Sequence, residues 1–315
     1  MKVSVIIPCH NVEAHIDRAL ASAMAQTHPD IEVVCVDDGS TDGTAAILHR
    51  WSAEASRPIR VLQQENRGAS AARNRGMAEC DGPWIQFLDA DDAIAPGKVA
   101  RQVALVEAHP DTDLVVGDYE SVMPNGLLLP ALALYDRAWM GLIKTRLGTT
   151  SANLWKREAV AAAGGWPEDL RSSQDYALMF HMLRHGARVV WDRVIGTEVL
   201  KRPSGSISQT SVHANWGRYV ALRRAMKEHL AATDPVRYKE EIATLEQYIF
   251  MALRIMAVKD RRAAVAEFRR SIGRGFVPEV GRAITERYVL LYKLLGFAGA
   301  ERLLEVIGRP QHPPV

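Results

Sequence analysis

The sequence is short of cysteine, of long apolar runs and of a glycine-rich nucleotide loop, and each shortage removes a class of protein. Three cysteines, Cys9, Cys35 and Cys80, stand in 315 residues. Their spacing fits neither a metal cluster nor a disulfide framework, and two lie inside apolar runs, as reduced core thiols of a cytoplasmic protein do. No uncharged apolar stretch reaches the roughly 18 to 20 residues that a membrane span requires. Met1-Lys2 leads directly into Val3-Ser4-Val5-Ile6-Ile7-Pro8, too short an apolar run for the core of a secretory signal. That run is followed by Pro8-Cys9-His10-Asn11-Val12, with no glycine. A dinucleotide-binding turn would place G-x-G-x-x-G there, so that pyrophosphate meets a helix N-terminus. The dinucleotide oxidoreductase reading drops out, and phosphate neutralisation is left to a cation or to arginines.

What is present is ordinary in bulk and uneven in distribution. Hydrophobic residues make up 48% and charged residues 24%, as in soluble globular proteins. The length suits one large α/β domain with an appendage. From Thr210 to Val315 the chain carries 18 Lys and Arg against 11 Asp and Glu, a net +7. The rest carries 21 against 26, a net −5, so the two regions are expected to do different work.

Strand and helix signals alternate through the first two thirds. Val3–Ile7 reads as a central strand, and Asn11 as the cap of a helix with Ile16, Leu20, Ala23 and Met24 on one face. A strand over 31–36 closes on Asp37-Asp38-Gly39-Ser40-Thr41-Asp42-Gly43-Thr44, which combines turn glycines with helix-capping side chains. A third strand over 59–63 precedes Asn66-Arg67-Gly68 and a helix of small residues running to Met77 and containing Arg73. Ile85–Leu88 is a fourth strand, Pro96 opens the helix after it, and 114–116 resumes the sheet. Between Met123 and Leu147 the periodicity loosens, as in either a substrate loop or an irregular core segment. Val189-Val190-Trp191 reads as the last strand, and from about Ser211 the pattern is wholly helical. The expected organisation is a parallel-rich α/β domain over 1–210 and a basic helical extension over 211–315.

The chemistry gathers at Phe87-Leu88-Asp89-Ala90-Asp91-Asp92, where a buried strand ends in three carboxylates within four positions. Crowded carboxylates repel one another, and a hard divalent cation with oxygen ligands relieves the repulsion. An acidic turn capping the next helix is the plain alternative. In an open parallel sheet, ligands bind beyond the carboxyl ends of the strands. Pro8 to Asn11, Asp37 to Asp42, Asn66-Arg67-Gly68 and Asp89 to Asp92 all directly follow strands, so together they suit a nucleoside diphosphate.

In that ordered set the first 210 residues resemble the family 2 glycosyltransferases of the GT-A fold. The matching stretches are Val3 to Asn11, Asp37 to Thr44, Asn66-Arg67-Gly68 with Ala72-Arg73-Asn74, Phe87 to Asp92, and Gly164-Gly165-Trp166 before Gln174-Asp175-Tyr176. The resemblance implies inverting, metal-dependent transfer from a nucleotide-diphosphate sugar, UDP-linked by expectation, to an acceptor hydroxyl in surface polysaccharide or glycolipid synthesis. It makes Asp175 the general base. Asp89 and Asp91 resemble the family's DxD motif for Mn²⁺ or Mg²⁺, with Asp91 the direct ligand. Asp37 or Asp38 receives the nucleobase. Pro8, His10, Asn11, Asn66, Arg67, Gly68, Arg73, Ala90, Lys201 and Arg202 complete the donor site. The implied partners are a nucleotide-sugar donor and a saccharide or lipid-linked acceptor, with no nucleic acid.

Two departures stand out. Gln174 replaces the family's usual Glu beside the base, and Pro203 stands where many relatives carry a histidine in the loop that closes over diphosphate. The Gln-x-x-Arg-Trp signature of processive members is absent, which points to single-residue transfer. The basic tail either packs on the catalytic domain or pairs with a second copy, or lays the run Tyr288 to Ala300 on the inner face of a membrane. A nucleotidyltransferase that makes a nucleotide sugar, and an inactive nucleotide-sugar-binding module, are the readings from other classes.

Overall fold

A computed structural model of the chain describes residues 1–202, 212–281 and 284–307. The chain divides into two compact units, Met1–Ile207 and Ser208–Val315. The first opens with three strand–helix repeats: β1 (Val3–Cys9), α1 (Ile16–Met24), β2 (Ile31–Asp38), α2 (Thr44–Glu54), β3 (Ile59–Gln64) and α3 (Ala69–Glu79). β4 (Trp84–Phe87) and a short β5 (Ala93–Ile94) flank the acidic stretch, and α4 (Lys98–Ala108) follows. Next come β6 (Leu114–Gly117), β7 (Tyr119–Val122), β8 (Leu128–Ala131) and α5 (Ala138–Ile143). β9 (Leu154–Lys156), α6 (Arg157–Ala162), α7 (Gln174–Arg184), β10 (Val189–Asp192) and β11 (Thr197–Leu200) end the unit.

The main sheet has seven strands in the order β10-β6-β9-β4-β1-β2-β3. β4, β1, β2 and β3 run parallel, so the carboxyl ends of all four lie along one edge. β9 is antiparallel to both its neighbours, which makes the sheet mixed. β1 is an interior strand between β4 and β2, and Val3, Val5, Ile6 and Ile7 are all fully buried. A strand covered on both faces shows a continuous apolar run in place of alternation, which is why Val3–Ile7 was legible. α1 buries Ile16, Ala19, Leu20 and Ala23 at helical spacing against the sheet, each large side chain contributing roughly 1.5–3 kcal/mol. α3 packs closer still. A Cβ added to Gly76 would stand 2.5 Å from the Ile6 side chain, so the small-residue composition of this helix is a condition of its contact with β1.

Several expectations need correction. Asn11 does not cap a helix: α1 begins five residues later behind His15, and Asn11 holds a left-handed backbone with φ 51°. Pro96 precedes α4, whose N-cap is Gly97. The last strand of the unit is β11 and not the stretch at Val189–Trp191, which is β10. β11 joins a second sheet in the order β5-β11-β7-β8. The loosely patterned 123–147 region is the β7–β8 hairpin turn, strand β8 and helix α5, with Met140, Leu142 and Ile143 fully or almost fully buried.

The second unit contains α8 (Val212–Thr233), α9 (Lys239–Met256), α10 (Arg261–Ser271) and α11 (Glu286–Ile307), the last kinked at Gly296. Its core is aromatic. Phe250 meets Phe268, Phe276, Tyr288, Tyr292 and Phe297, and Phe268 stacks on Phe297 at 4.6 Å. The run expected to meet a membrane is divided: Tyr288, Phe297 and Ala300 are buried in this core, whereas Leu290, Leu294 and Leu295 are exposed. Among the described residues no helix is long and apolar enough to cross a membrane.

Candidate functional site

The polar loops after β1, β2 and β3 are stitched into one surface. His10 donates from Nδ1 to the Asp38 carbonyl at 2.9 Å and accepts at Nε2 from Asn66 at 2.9 Å. The Asn11 side-chain oxygen accepts from the Thr41 amide at 2.8 Å, and the Asn11 amide donates to Ser40 Oγ. The left-handed backbone at Asn11, a conformation Asn tolerates better than most residues, is what turns its side chain onto this loop. At Gly39, also left-handed, a Cβ would approach the Asn66 amide to 2.9 Å, so glycine allows the two loops to touch. Pro8 is half-buried within β1, in register with Val36.

The structure separates the two acidic residues at the end of β2. Asp38 is 2% exposed and both its oxygens are engaged: Oδ1 accepts from the Arg67 amide and Gln64 Nε2, and Oδ2 accepts from the Gly68 amide at 2.8 Å. It therefore shapes the Asn66-Arg67-Gly68 loop, where Gly68 adopts φ 90°. Asp37 accepts at Oδ1 from the Ser40 amide, an interaction that tightens its own loop. Asp42 accepts from the Thr44 amide two residues on, a turn just ahead of α2, whose N-cap is Gly43.

Asp89, Ala90 and Asp91 follow β4 at the same edge. Ala90 is buried among the core side chains. Each flanking carboxylate meets an arginine: Arg73 Nη2 donates to Asp89 at 2.5 Å, and Arg202 pairs with Asp91 at 2.7 Å. Asp92 turns inward. It accepts from Ser151 Oγ at 2.6 Å and from the Leu200 amide at 3.1 Å, while burial and the charges of Asp89 and Asp91 push its pKa well up. Asp92 thus fastens the end of β11 beside the acidic loop and brings Arg202 to Asp91. Ser151 also accepts from the Asp89 amide, a role for which the sequence held no sign.

Arg73 is a buried cation at the centre. Its guanidinium stacks 4.4 Å from the Trp166 ring and donates weakly to the Gln174 side-chain oxygen at 3.5 Å. Trp166 is wedged against Phe87 and Trp155, at 5.0 and 5.8 Å between centroids, so the aromatic core sets the height of Arg73. Gln174 donates to the Leu170 carbonyl at 2.6 Å. The neutral side chain at 174 therefore faces the arginine without adding a second negative charge. Asp175 lies in the first turn of α7, behind a left-handed Ser173. It keeps some surface open, yet its carboxyl is desolvated, which raises its pKa. Asp89 adds to the rise, while nearby backbone N–H groups and the Arg73 charge oppose it.

Two predicted residues stand apart from this cluster. Arg67 is exposed and pairs with Glu168 at 3.0 Å, and Glu168 also accepts from Asn74. Lys201 is exposed, its amide bound to the Val122 carbonyl. Pro203 and the loop beyond it lie outside the described residues. Among the described residues no group of three or more His, Cys, Asp or Glu forms a ready metal cage. The donor set nevertheless fits Mn²⁺ or Mg²⁺ brought with a diphosphate: Asp89 and Asp91 offer hard oxygens, and each already holds a cation in its arginine partner.

Comparison with known proteins agrees with this geometry. Residues 4–152 match the family described as Glycosyl transferase family 2. The uncharacterized glycosyltransferase alr2836 of a Nostoc strain is 42% identical over 115 residues, 36% of this chain and 35% of that protein. Glycosyltransferase GlyA of Streptococcus pneumoniae is 38% identical over 120 residues, 38% of this chain and 17% of that protein. The chain thus spans about a third or less of the length of these curated relatives. The crystal structure of S. aureus TarS 1–349 with UDP-GlcNAc has a TM-score of 0.71 at 19% identity, covering 98% of this chain and 91% of the other. The mannosyltransferase PcManGT of Pyrobaculum calidifontis, with GDP-Man and Mn²⁺, has a TM-score of 0.56 at 19% identity, covering 98% and 88%. With β1 to β4 ending in these loops, and the family match running from Ser4 to Ala152, the chain carries a family 2 glycosyltransferase domain of GT-A-type fold.

Proposed function

We propose that the chain is an inverting, non-processive glycosyltransferase that uses a nucleotide-diphosphate sugar. The observation that carries this reading is the meeting of Arg73 with Asp89 on one side and with Gln174, beside Asp175, on the other. A donor diphosphate at the acidic loop and an acceptor hydroxyl at Asp175 then face each other across one buried cation. Asp37 receives the nucleobase, because Asp38 is committed to the neighbouring loop. Asp91, with Asp89 beside it, would hold a divalent cation, which when bound would supply positive charge against the diphosphate and the departing nucleotide.

The acceptor oxygen attacks the anomeric carbon from the face opposite the nucleotide. The C–O bond to the β-phosphate breaks, the electron pair leaves with the nucleoside diphosphate, and the acceptor proton passes to Asp175. A raised pKa makes Asp175 a better proton acceptor than an exposed aspartate, provided the pH keeps it ionised. Arg202 leaves Asp91 for the diphosphate when the donor binds, and Lys201 lies next to it. A single base suffices for inversion. The acceptor belongs to surface polysaccharide or glycolipid synthesis, at the cytoplasmic face. A panel of nucleotide sugars with Mn²⁺ or Mg²⁺, scored for hydrolysis and transfer, tests the proposal. Release of nucleoside diphosphate is expected. Release of pyrophosphate instead indicates a nucleotidyltransferase, and no donor binding at all removes the enzymatic reading.

A further inference from the structure

The β7–β8 hairpin presents an apolar surface that the donor reading does not use. Leu127, Leu128, Leu129 and Leu132 are 53%, 48%, 43% and 46% exposed. Successive residues of a strand point to opposite faces. Exposure of the adjacent β8 residues Leu128 and Leu129 therefore means that the start of this strand is open on both faces. Isolated exposed leucines are common, but four within six positions form a patch of the kind that marks an interaction site.

Two features decide what covers it. β8 is the outer strand of its sheet, and Pro130 sits in the middle of it, opposite Glu120. A proline removes a backbone donor and blunts an edge against further strand pairing. Occupancy by a second copy through strand addition is thereby disfavoured, and what remains on offer is side-chain hydrocarbon. The patch is also continuous with a cavity of about 360 Å³ whose wall includes Pro130, Ala131, Leu132 and Ala133 on one side and Tyr119 and Arg146 on others. Thr145 also lines this cavity, and its carbonyl accepts from the hydroxyl of Tyr176, the residue after Asp175, at 3.4 Å. Arg146 is exposed, with Nε and Nη2 donating to the carbonyls of Leu132 and Ala133, so its cationic end is held in the cavity wall. The wall itself is fixed by Asp118, which accepts from the Ala133 amide at 2.8 Å and the Tyr135 hydroxyl at 2.5 Å. Apolar hairpin, fixed arginine and catalytic carboxylate thus follow one another along one surface.

We infer that this surface binds an amphiphilic acceptor, with its hydrocarbon chain along Leu127–Leu132, its anionic linker at Arg146 and its reacting hydroxyl toward Asp175. The inference rests on the glycosyltransferase reading and specifies its acceptor as a lipid-linked one. It moves the lipid contact from the basic C-terminal helices to a hairpin of the catalytic unit.

The test is calorimetric titration of the full chain with farnesyl phosphate below its micelle concentration, with inorganic phosphate and phosphatidylcholine/phosphatidylglycerol vesicles as separate arms. Wild type is expected to bind farnesyl phosphate and not inorganic phosphate. The triple variant Leu127→Gln, Leu128→Gln, Leu129→Gln is expected to bind it about tenfold or more weakly, and Arg146→Gln also weakens it. Circular dichroism and the single variant Leu128→Gln guard against a folding artefact. The inference is overturned by absence of farnesyl phosphate binding, or by unchanged binding in the triple variant. It is also overturned if the triple variant loses only vesicle binding, which makes the hairpin a bilayer contact, or converts a dimer to a monomer. Nucleotide-sugar hydrolysis by wild type is measured in parallel. Hydrolysis without farnesyl phosphate binding sinks this inference alone, whereas neither donor hydrolysis nor donor binding sinks the function on which it rests.

Discussion

The same trio of groups is built twice in this chain, once in each unit. In the first, Arg73 lies over Trp166 and holds Asp89; in the second, Arg254 lies over Tyr288 at 3.8 Å and holds Glu301 at 3.2 Å. The difference is in the carboxylate. The Asp89 side chain is 33% exposed at the carboxyl edge of the sheet, whereas Glu301 is completely buried and also accepts from the Tyr288 hydroxyl at 2.8 Å. A carboxylate that has lost all access to water cannot exchange partners, and the value of its pair is to the fold. A cation buried behind an open carboxylate can hand that carboxylate to another ligand. Arginine, carboxylate and aromatic ring therefore do not identify a site; the exposure of the carboxylate does.

The largest effect expected is on chemistry. Asp175→Asn removes the proposed base, and transfer should fall by about 10²- to 10⁴-fold in a steady-state assay while nucleotide binding persists. Comparable loss of binding would place Asp175 in the donor site instead. Next, Arg254→Met leaves Glu301 buried without its cation and should cost about 3–5 kcal/mol in urea unfolding. Specific activity of the folded protein should be unaltered, and a drop in activity at unchanged stability would erase the contrast between the two pairs.

Arg73→Met should show the opposite pattern, with transfer reduced roughly ten- to a hundredfold. Its pH profile carries a further sign. As the proposed base Asp175 would act when ionised, so activity should rise with pH through its raised pKa. Arg73 opposes that rise, so its loss should move the acid limb to still higher pH. An acid limb that stays in place means that Arg73 serves the acidic loop alone. The smallest effect belongs to Arg202→Ala. Its pair with Asp91 lies at a partly open surface, so stability should change by less than about 1 kcal/mol, with diphosphate affinity weakened several-fold in a binding titration.

Much of this architecture is legible in the sequence. β1 announced itself by an unbroken apolar run, and the acidic stretch by carboxylates that follow a strand directly. The ordering of four polar loops after four strands is sufficient to bring those loops to one edge of the sheet. What escaped is instructive. Ser151 bonds Asp92 across 59 positions, and a serine after two threonines carries no periodic signal. β11 is a four-residue strand whose partners, β5 and β7, are brought to it by the fold and not by adjacency. Asn11 was misread as a cap because an Asn before a helix usually is one; only its positive φ shows that the side chain serves another loop. The leucines of the β7–β8 hairpin resemble core in sequence, and exposure alone marks them as a surface.

The central claim is that the carboxylates after β4 receive a metal-bound nucleoside diphosphate while Asp175 does not. Calorimetric titration of UDP and GDP, each with and without Mn²⁺, into wild type, Asp91→Asn and Asp175→Asn tests it most directly. The account predicts Mn²⁺-dependent binding of at least one nucleotide by wild type, lost in Asp91→Asn and retained in Asp175→Asn. Equal, metal-dependent binding by wild type and Asp91→Asn would contradict it.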